Sequence, residues 1–241
     1  MVDNGYQLEI DDSLSPCPAI FGLIWAEGIR PPTTPSAAPE FLRSLLSAAA
    51  KEGEEYVPLI VRQRVRKILR HGKYKPSGRG KPASEFLLRA ALSETFPLVN
   101  GPVDVNNAIS LESGFPGSIF DTNLSGRHLL IRRGLPDEEY VFNPSGQMID
   151  LQDLLLVCRK TDAGWEACGN PVKDAMVTKI SADTENVIAV LVMPLDEPRS
   201  SIERWLQRYA NLLTDHCGAI SSGFQVIAPD VANEPLQSIG E

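Results

Sequence analysis

Two groups of side chains in this sequence have the types and spacing to do chemistry. Asp104, Asn106 and Asn107 stand together in the stretch GPVDVNNAISLESGFPGSIFD, residues 101–121, and Ser118 follows in its exit. Asparagine competes with the helix backbone for hydrogen bonds, so two adjacent asparagines inside a helix need a reason. A carboxamide donates from nitrogen and accepts at oxygen, which suits it to position a water or a carbonyl. The second group is Lys173-Asp174, ahead of Thr178-Lys179 and the apolar run at Val187. A Lys-Asp pair in a loop is ordinarily a surface pair worth under about 1 kcal/mol. A fold that brought Asn107, Ser118 and Asp174 to one cavity would make it a site.

A third feature is electrostatic. The net charge is −8, yet Arg62, Arg64, Arg66, Lys67, Arg70, Lys73, Lys75, Arg79 and Lys81 fall in one segment without an acidic residue. A local positive patch, not the net charge, sets where phosphates bind. Arg62 to Arg70 lie towards the end of an expected helix that starts with Glu54 and Glu55, so the helix dipole accounts for them without a ligand. Residues 72–81, GKYKPSGRGK, form a loop that gains nothing from a dipole, and Tyr74 sits among its cations. Lys73, Lys75, Arg79 and Lys81 are therefore the candidate RNA contacts.

Several classes are excluded. No P-loop, GxSxG, HExxH or strand-following GxGxxG occurs. Cys17, Cys158, Cys168 and Cys217 contain no CxxC pair, and His71, His128 and His216 are as scattered. Neither a metal nor a cofactor is expected. His216 and Cys217 are adjacent, which turns them about 100° apart on a helix and prevents a catalytic pairing. No apolar run approaches the roughly 18 to 20 residues of a membrane helix. The acidic N-terminus lacks a signal peptide's basic and apolar regions, so a cytoplasmic location without membrane attachment is expected.

The elements that must position these residues can be read from periodicity. Ala19–Ala26 (AIFGLIWA) predicts a buried strand. Helices are expected over Pro39–Lys51, Glu54–His71 with Val57, Ile60, Val61, Val65, Ile68 and Leu69 inward, and Pro82–Leu92 with Phe86, Leu87 and Ala90 inward. Another runs to a stop at Gly114, with Val105, Ala108, Ile109 and Leu111 as its buried stripe. Asp104 and Asn107 border that stripe on one side; Asn106 and Ser110 lie off the other. Strands follow at Ser118–Phe120, His128–Arg133, Tyr140–Asn143, Leu154–Arg159 and Val187–Met193, with a loop over Gly164–Asp174. A helix over Ser200–His216 and a short strand over Phe224–Ala228 complete the series. The fold class is α+β, a mostly antiparallel or mixed sheet with flanking helices. A single domain over 1–228, with helices 39–71 as an extension, and a flexible tail over 229–241 are expected.

The order Lys81-Pro-Ala-Ser84-Glu85, Asn100…Val103-Asp104-Val-Asn-Asn107, Asp121 and Thr178-Lys179…Asp183-Thr184 is similar to the editing domain of the bacterial phenylalanyl-tRNA synthetase β subunit, in its free-standing form. The resemblance spans about Arg66 to Pro194. It implies a tRNA partner, bound at its aminoacylated 3′ end, and hydrolysis of a mischarged aminoacyl ester in trans. It also implies that the chain is not itself a synthetase. A Thr-Asn pair of that family corresponds to Asn106 and Asn107, a pocket histidine to Ser118, and a pocket glutamate to about Val190. Three of these four positions depart from the family. Asn106 and Asn107 would position water and carbonyl, Asp104 or Asp174 the α-ammonium group, and Lys173 or Lys81 the terminal phosphates. Two rival readings keep the same residues: a non-catalytic RNA-binding module, or a pocket for an amino-acid-like metabolite. The sequence leaves the oligomeric state open.

Overall fold

The computed structural model describes residues 5–229, so the expected tail lies outside them except for Pro229. The strands are β1 (Gln7–Ile10), β2 (Ala19–Glu27), β3 (Gly117–Asp121), β4 (His128–Arg133), β5 (Glu139–Val141), β6 (Met148–Asp150), β7 (Leu155–Thr161), β8 (Gly164–Gly169), β9 (Asn186–Pro194) and β10 (Ser221–Ile227). The helices are α1 (Glu40–Glu52), α2 (Leu59–Leu69), α3 (Ala83–Leu92), α4 (Gly101–Ser113), the single turn α5 (Thr122–Ser125) and α6 (Arg199–Cys217). One antiparallel sheet has the order β10-β2-β9-β3, and a second, β1-β4-β7-β8, is mixed because β1 runs parallel to β4. β5 and β6 form a separate hairpin. This is the α+β architecture that the alternation of periods predicts.

β9 is apolar along its length and buried on both faces, which requires a central position between β2 and β3. The long helix α6 packs across β2 and β10 and against α4. Helices α1 and α3 build a second layer, in which Leu42, Leu45, Leu87 and Leu88 meet Ala108 and Leu111 of α4. The opposite side of α4, through Val105 and Ile109, joins the main sheet core. α4 is thus enclosed from two directions. Asn100 caps its start by accepting from Val103 N–H at 3.1 Å, and Gly114 closes it in the left-handed conformation, φ 76°.

Four expectations need correction. The helix expected over Glu54–His71 is a 3₁₀ turn at Gly53–Tyr56 followed by α2, because Pro58 has no N–H to continue the ladder and instead serves as the N-cap. With that break the helical phase shifts, and Ile60 is 62% exposed where an inward position was expected. Phe86 is likewise outward at 61% exposure, since Leu87, Leu88 and Ala91 take the inner face of α3. The loop expected over Gly164–Asp174 contains β8, which pairs with β7 through a bulge at Val157/Cys158. β1 was not expected at all: four residues of mixed polarity carry too little period to read. Among the described residues no helix is long and apolar enough to cross a membrane. All four cysteines are buried free thiols, and burial pushes each of their pKa values upward.

Candidate nucleic-acid interface

The basic segment divides into two electrostatic classes. Arg62 pairs with Glu54 at 2.6 Å, and Arg64 bridges Asp196 and Glu197 at 2.7 and 3.0 Å. Arg66 makes a bidentate ion pair with Glu85, whose side chain is almost wholly buried. These arginines tie α2 to its own approach, to α3 and to the turn between β9 and α6, and their charge is largely neutralised. The Arg64 partners lie 132 and 133 residues away in sequence, beyond the reach of any local pattern. Among the described residues Lys67, Arg70, Lys75, Arg79 and Lys81 form no ion pair with a carboxylate. The neutralised charges belong to the helix and the available ones mainly to the loop.

Tyr74 organises that loop. Its hydroxyl donates to Gly80 C=O at 2.7 Å, and the backbone of His71 bridges to that of Tyr74. Lys73 anchors the loop to the β6–β7 connection, donating its N–H to Asp153 Oδ2 at 2.7 Å and its ammonium to Gln152 Oε1 at 3.0 Å. Lys73 is thus held by the protein, whereas Lys75 and Arg79 are exposed and Lys81 is half-buried.

A cleft of about 750 Å³ opens between this loop and the β5–β6 hairpin, with Tyr74, Arg79, Phe142, Met148, Asp150 and Lys173 in its walls. Arg79 and Lys173, assigned to different groups on sequence grounds, meet here. Lys173 Nζ stands 3.6 Å from the centre of the Phe142 ring. Burial and the neighbouring Arg79 guanidinium both lower the pKa of Lys173. The backbone beneath is fixed: Tyr140 Oη donates to Lys173 C=O at 2.6 Å, and Asn170 Oδ1 accepts the N–H groups of Val172 and Lys173 at 2.8 and 3.0 Å. Phe142, Tyr140 and Asn170 escaped the sequence reading as site residues. Their signal was weak, an aromatic pair before the Asn143-Pro-Ser-Gly146 turn and an asparagine before Pro171.

The remaining candidates fall in two other places. Asn106 Oδ1 accepts from the buried Tyr209 hydroxyl at 2.9 Å, and its Nδ2 donates to Gly117 C=O at 3.2 Å. Next to Gly117, Ser118 pairs across the sheet with Val190. The Ser118 hydroxyl reaches Asp174, whose carboxyl is pushed up to about 6 by burial against the pull of Lys179 and Ser118. Asn106 with Tyr209 and Ser118 with Asp174 are thus two polar pairs in the interior, neighbours in sequence through Gly117 and Ser118. Asn107, expected at the margin of the buried stripe, is the more exposed of the two asparagines, and Asn106 is the buried one. The helical wheel reversed them because α4 is covered from two sides. The Asn107 side chain makes no hydrogen bond among the described residues and borders neither the cleft nor the Asp104 cavity.

Asp104 is 1% exposed and borders a separate cavity of about 330 Å³, with Arg30, Phe41, His216 and Cys217. Its Oδ1 accepts from Val99 N–H at 2.8 Å, while Oδ2 has no hydrogen-bond partner among the described residues. Burial raises its pKa to about 6, with the Val99 and Asn100 N–H groups opposing. Between about pH 4 and 6 the folded state holds a proton here that the unfolded chain has lost, so stability falls as pH rises through that window. Denaturant unfolding from pH 4 to 7 should therefore show wild type losing on the order of 2 kcal/mol relative to Asp104→Asn. Parallel stability curves for the two proteins would refute this.

The architecture defines the class: an α+β protein of one antiparallel and one mixed four-stranded sheet, with an aromatic-walled cationic cleft beside a small hairpin. No protein-family model and no curated protein matches the chain. Among solved structures it is similar to the crystal structure of an N-terminal fragment of the phenylalanyl-tRNA synthetase β-subunit from Pyrococcus horikoshii, with TM-score 0.45 and 9% identity over 91% of this chain. The match takes in 50% of that fragment, so this chain spans about half its length.

Proposed function

We propose that the protein binds tRNA through the cleft between the 72–81 loop and the β5–β6 hairpin. The observation that carries this reading is the convergence of Arg79 and Lys173 on one aromatic-walled cleft, with no carboxylate among the described residues paired to either. A surface kept positive in a chain of net charge −8 favours a polyanion there and disfavours non-specific contact elsewhere. The motif resemblance supplies the choice of tRNA among RNAs. Hydrolysis of a mischarged aminoacyl ester is the reaction that goes with the resemblance, which assigns water or carbonyl positioning to Asn107, whose amide is free but which borders neither the cleft nor the Asp104 cavity. Asn106 enters this scheme as a positioning residue, since both ends of its amide are already held. The placement of Ser118, Asp174 and Asp104 does not support their acting on the aminoacyl group: Ser118 and the Asp174 carboxyl are buried, Asp104 faces the separate cavity, and none of them lines the cleft.

The experiment is a tRNA titration at two salt concentrations with wild type and with Arg79→Glu/Lys173→Glu. Two lost phosphate contacts should weaken binding about tenfold or more and flatten the salt dependence by roughly two units of slope. An unchanged affinity would remove the cleft from consideration. The same preparations, incubated with a panel of mischarged tRNAs, read the chemistry: turnover abolished by Asn107→Ala supports hydrolysis, and no turnover leaves a binding module. A second reading has its own observation, the cavity beside the unpartnered oxygen of Asp104. If an amino-acid-like metabolite occupies it, ligand binding should survive Arg79→Glu/Lys173→Glu and fail in Asp104→Asn.

A further inference from the structure

We infer that the cleft takes an unpaired nucleotide, its base stacked on Phe142 and its phosphate held by Arg79 and Lys173; this rests on the RNA-binding reading above. Three features lead there. The first is size. At about 750 Å³ the cleft falls in the range of small-ligand sites and admits a nucleotide or two, whereas duplex RNA is read across many base pairs by shape. The second is the wall opposite the cations. Phe142 is half-buried and Met148 is 46% exposed, so an aromatic face and a polarisable side chain line the hairpin side. The third is the cation now on the ring. Lys173 Nζ sits over Phe142 at 3.6 Å, which places that face of the ring towards the cleft.

A base can take the place of the ammonium group because only the lysine stem has to move. The Lys173 backbone is pinned by Tyr140 and Asn170, and its four-carbon chain can carry the charge across to a phosphate. Tyr74 does not compete as the platform, since its hydroxyl is committed to Gly80 and its half-buried ring packs against the hydrophobic core. Asp150 is the single carboxylate in the cleft wall, and it already accepts from Gln152 N–H at 2.9 Å. Nothing else there repels a phosphate. A π-face without a set of fixed hydrogen-bond donors around it implies tolerance of base identity.

The test compares a 12-nucleotide single-stranded RNA with the blunt duplex of the same sequence, by fluorescence anisotropy at fixed salt. The single strand should bind at least about tenfold more tightly, the range expected for stacking of one base. Phe142→Leu, which keeps apolar bulk but removes the aromatic face, should lose about tenfold for the single strand with the salt slope unchanged, and Phe142→Tyr should restore it. If the duplex binds as tightly, or Phe142→Leu behaves as wild type while Arg79→Glu still weakens binding, the stacking inference fails and the RNA reading stands. If neither RNA binds wild type, both fall.

Discussion

Asn106→Ala should destabilise the protein by about 2–4 kcal/mol, although the residue was first a candidate catalyst. Its amide bonds the Tyr209 hydroxyl at one end and Gly117 C=O at the other, and Tyr209 is fully buried. Each net hydrogen bond contributes about 1 kcal/mol, and a buried hydroxyl left without a partner costs about 1–3 kcal/mol more. Tyr209→Phe should cost less, about 1–2 kcal/mol, because the orphaned atom is then a carboxamide oxygen. The double mutant should cost less than the sum of the two, since one removed bond is counted twice. Strict additivity in urea denaturation would show that the two side chains do not act as a unit. At a temperature where all variants are folded, tRNA affinity should be unchanged, because the cleft lies elsewhere.

Gly134→Ala is expected to be the more damaging of the two, at about 3 kcal/mol or more. A Cβ on Gly134 would lie 1.8 Å from Leu151 O and 2.6 Å from Leu151 C, both backbone atoms that no rotamer change can withdraw. Relief means moving the chain apart, and overpacking of this kind ordinarily costs about 1–3 kcal/mol even where side chains can yield. Movement also strains the bonds from Gly134 N–H to Leu154 C=O at 2.9 Å and from Asp153 N–H to Gly134 C=O at 3.0 Å. Asp153 anchors Lys73, and Leu154 lines the cleft, so the damage extends to the proposed RNA site. The midpoint of thermal unfolding should fall by roughly 6–12 °C, and RNA binding should weaken as well. A variant that melted with wild type would mean that the approach of these two chain segments is looser than the structure places it.

The sequence by itself determined the elements whose signal is local. The apolar run Val187–Met193 specified the central strand, Gly114 and Pro116 ended α4, and Ser200–His216 specified α6 within a residue or two. The loop 72–81 was legible as a candidate contact because glycine, proline and cations declare a basic turn without reference to anything distant. What failed locally failed for local reasons, such as the break that Pro58 puts ahead of α2.

The tertiary structure decided which charges are available and which polar groups face outward. Arg64 and Arg66 look like solvated helix charges until Asp196, Glu197 and Glu85 arrive from other elements to pair with them. The two asparagines could not be sorted by a wheel that assumes one buried face, because α4 has the helical layer on one side and the sheet on the other. The meeting of Arg79 with Lys173 and Phe142 depends on how a loop near residue 75 is held against a hairpin near residue 145. Hydrophobic period is a property of neighbours along the chain, whereas ion pairing and cleft formation are properties of neighbours in space. The first kind of information gave this protein its fold class, and the second located its candidate site.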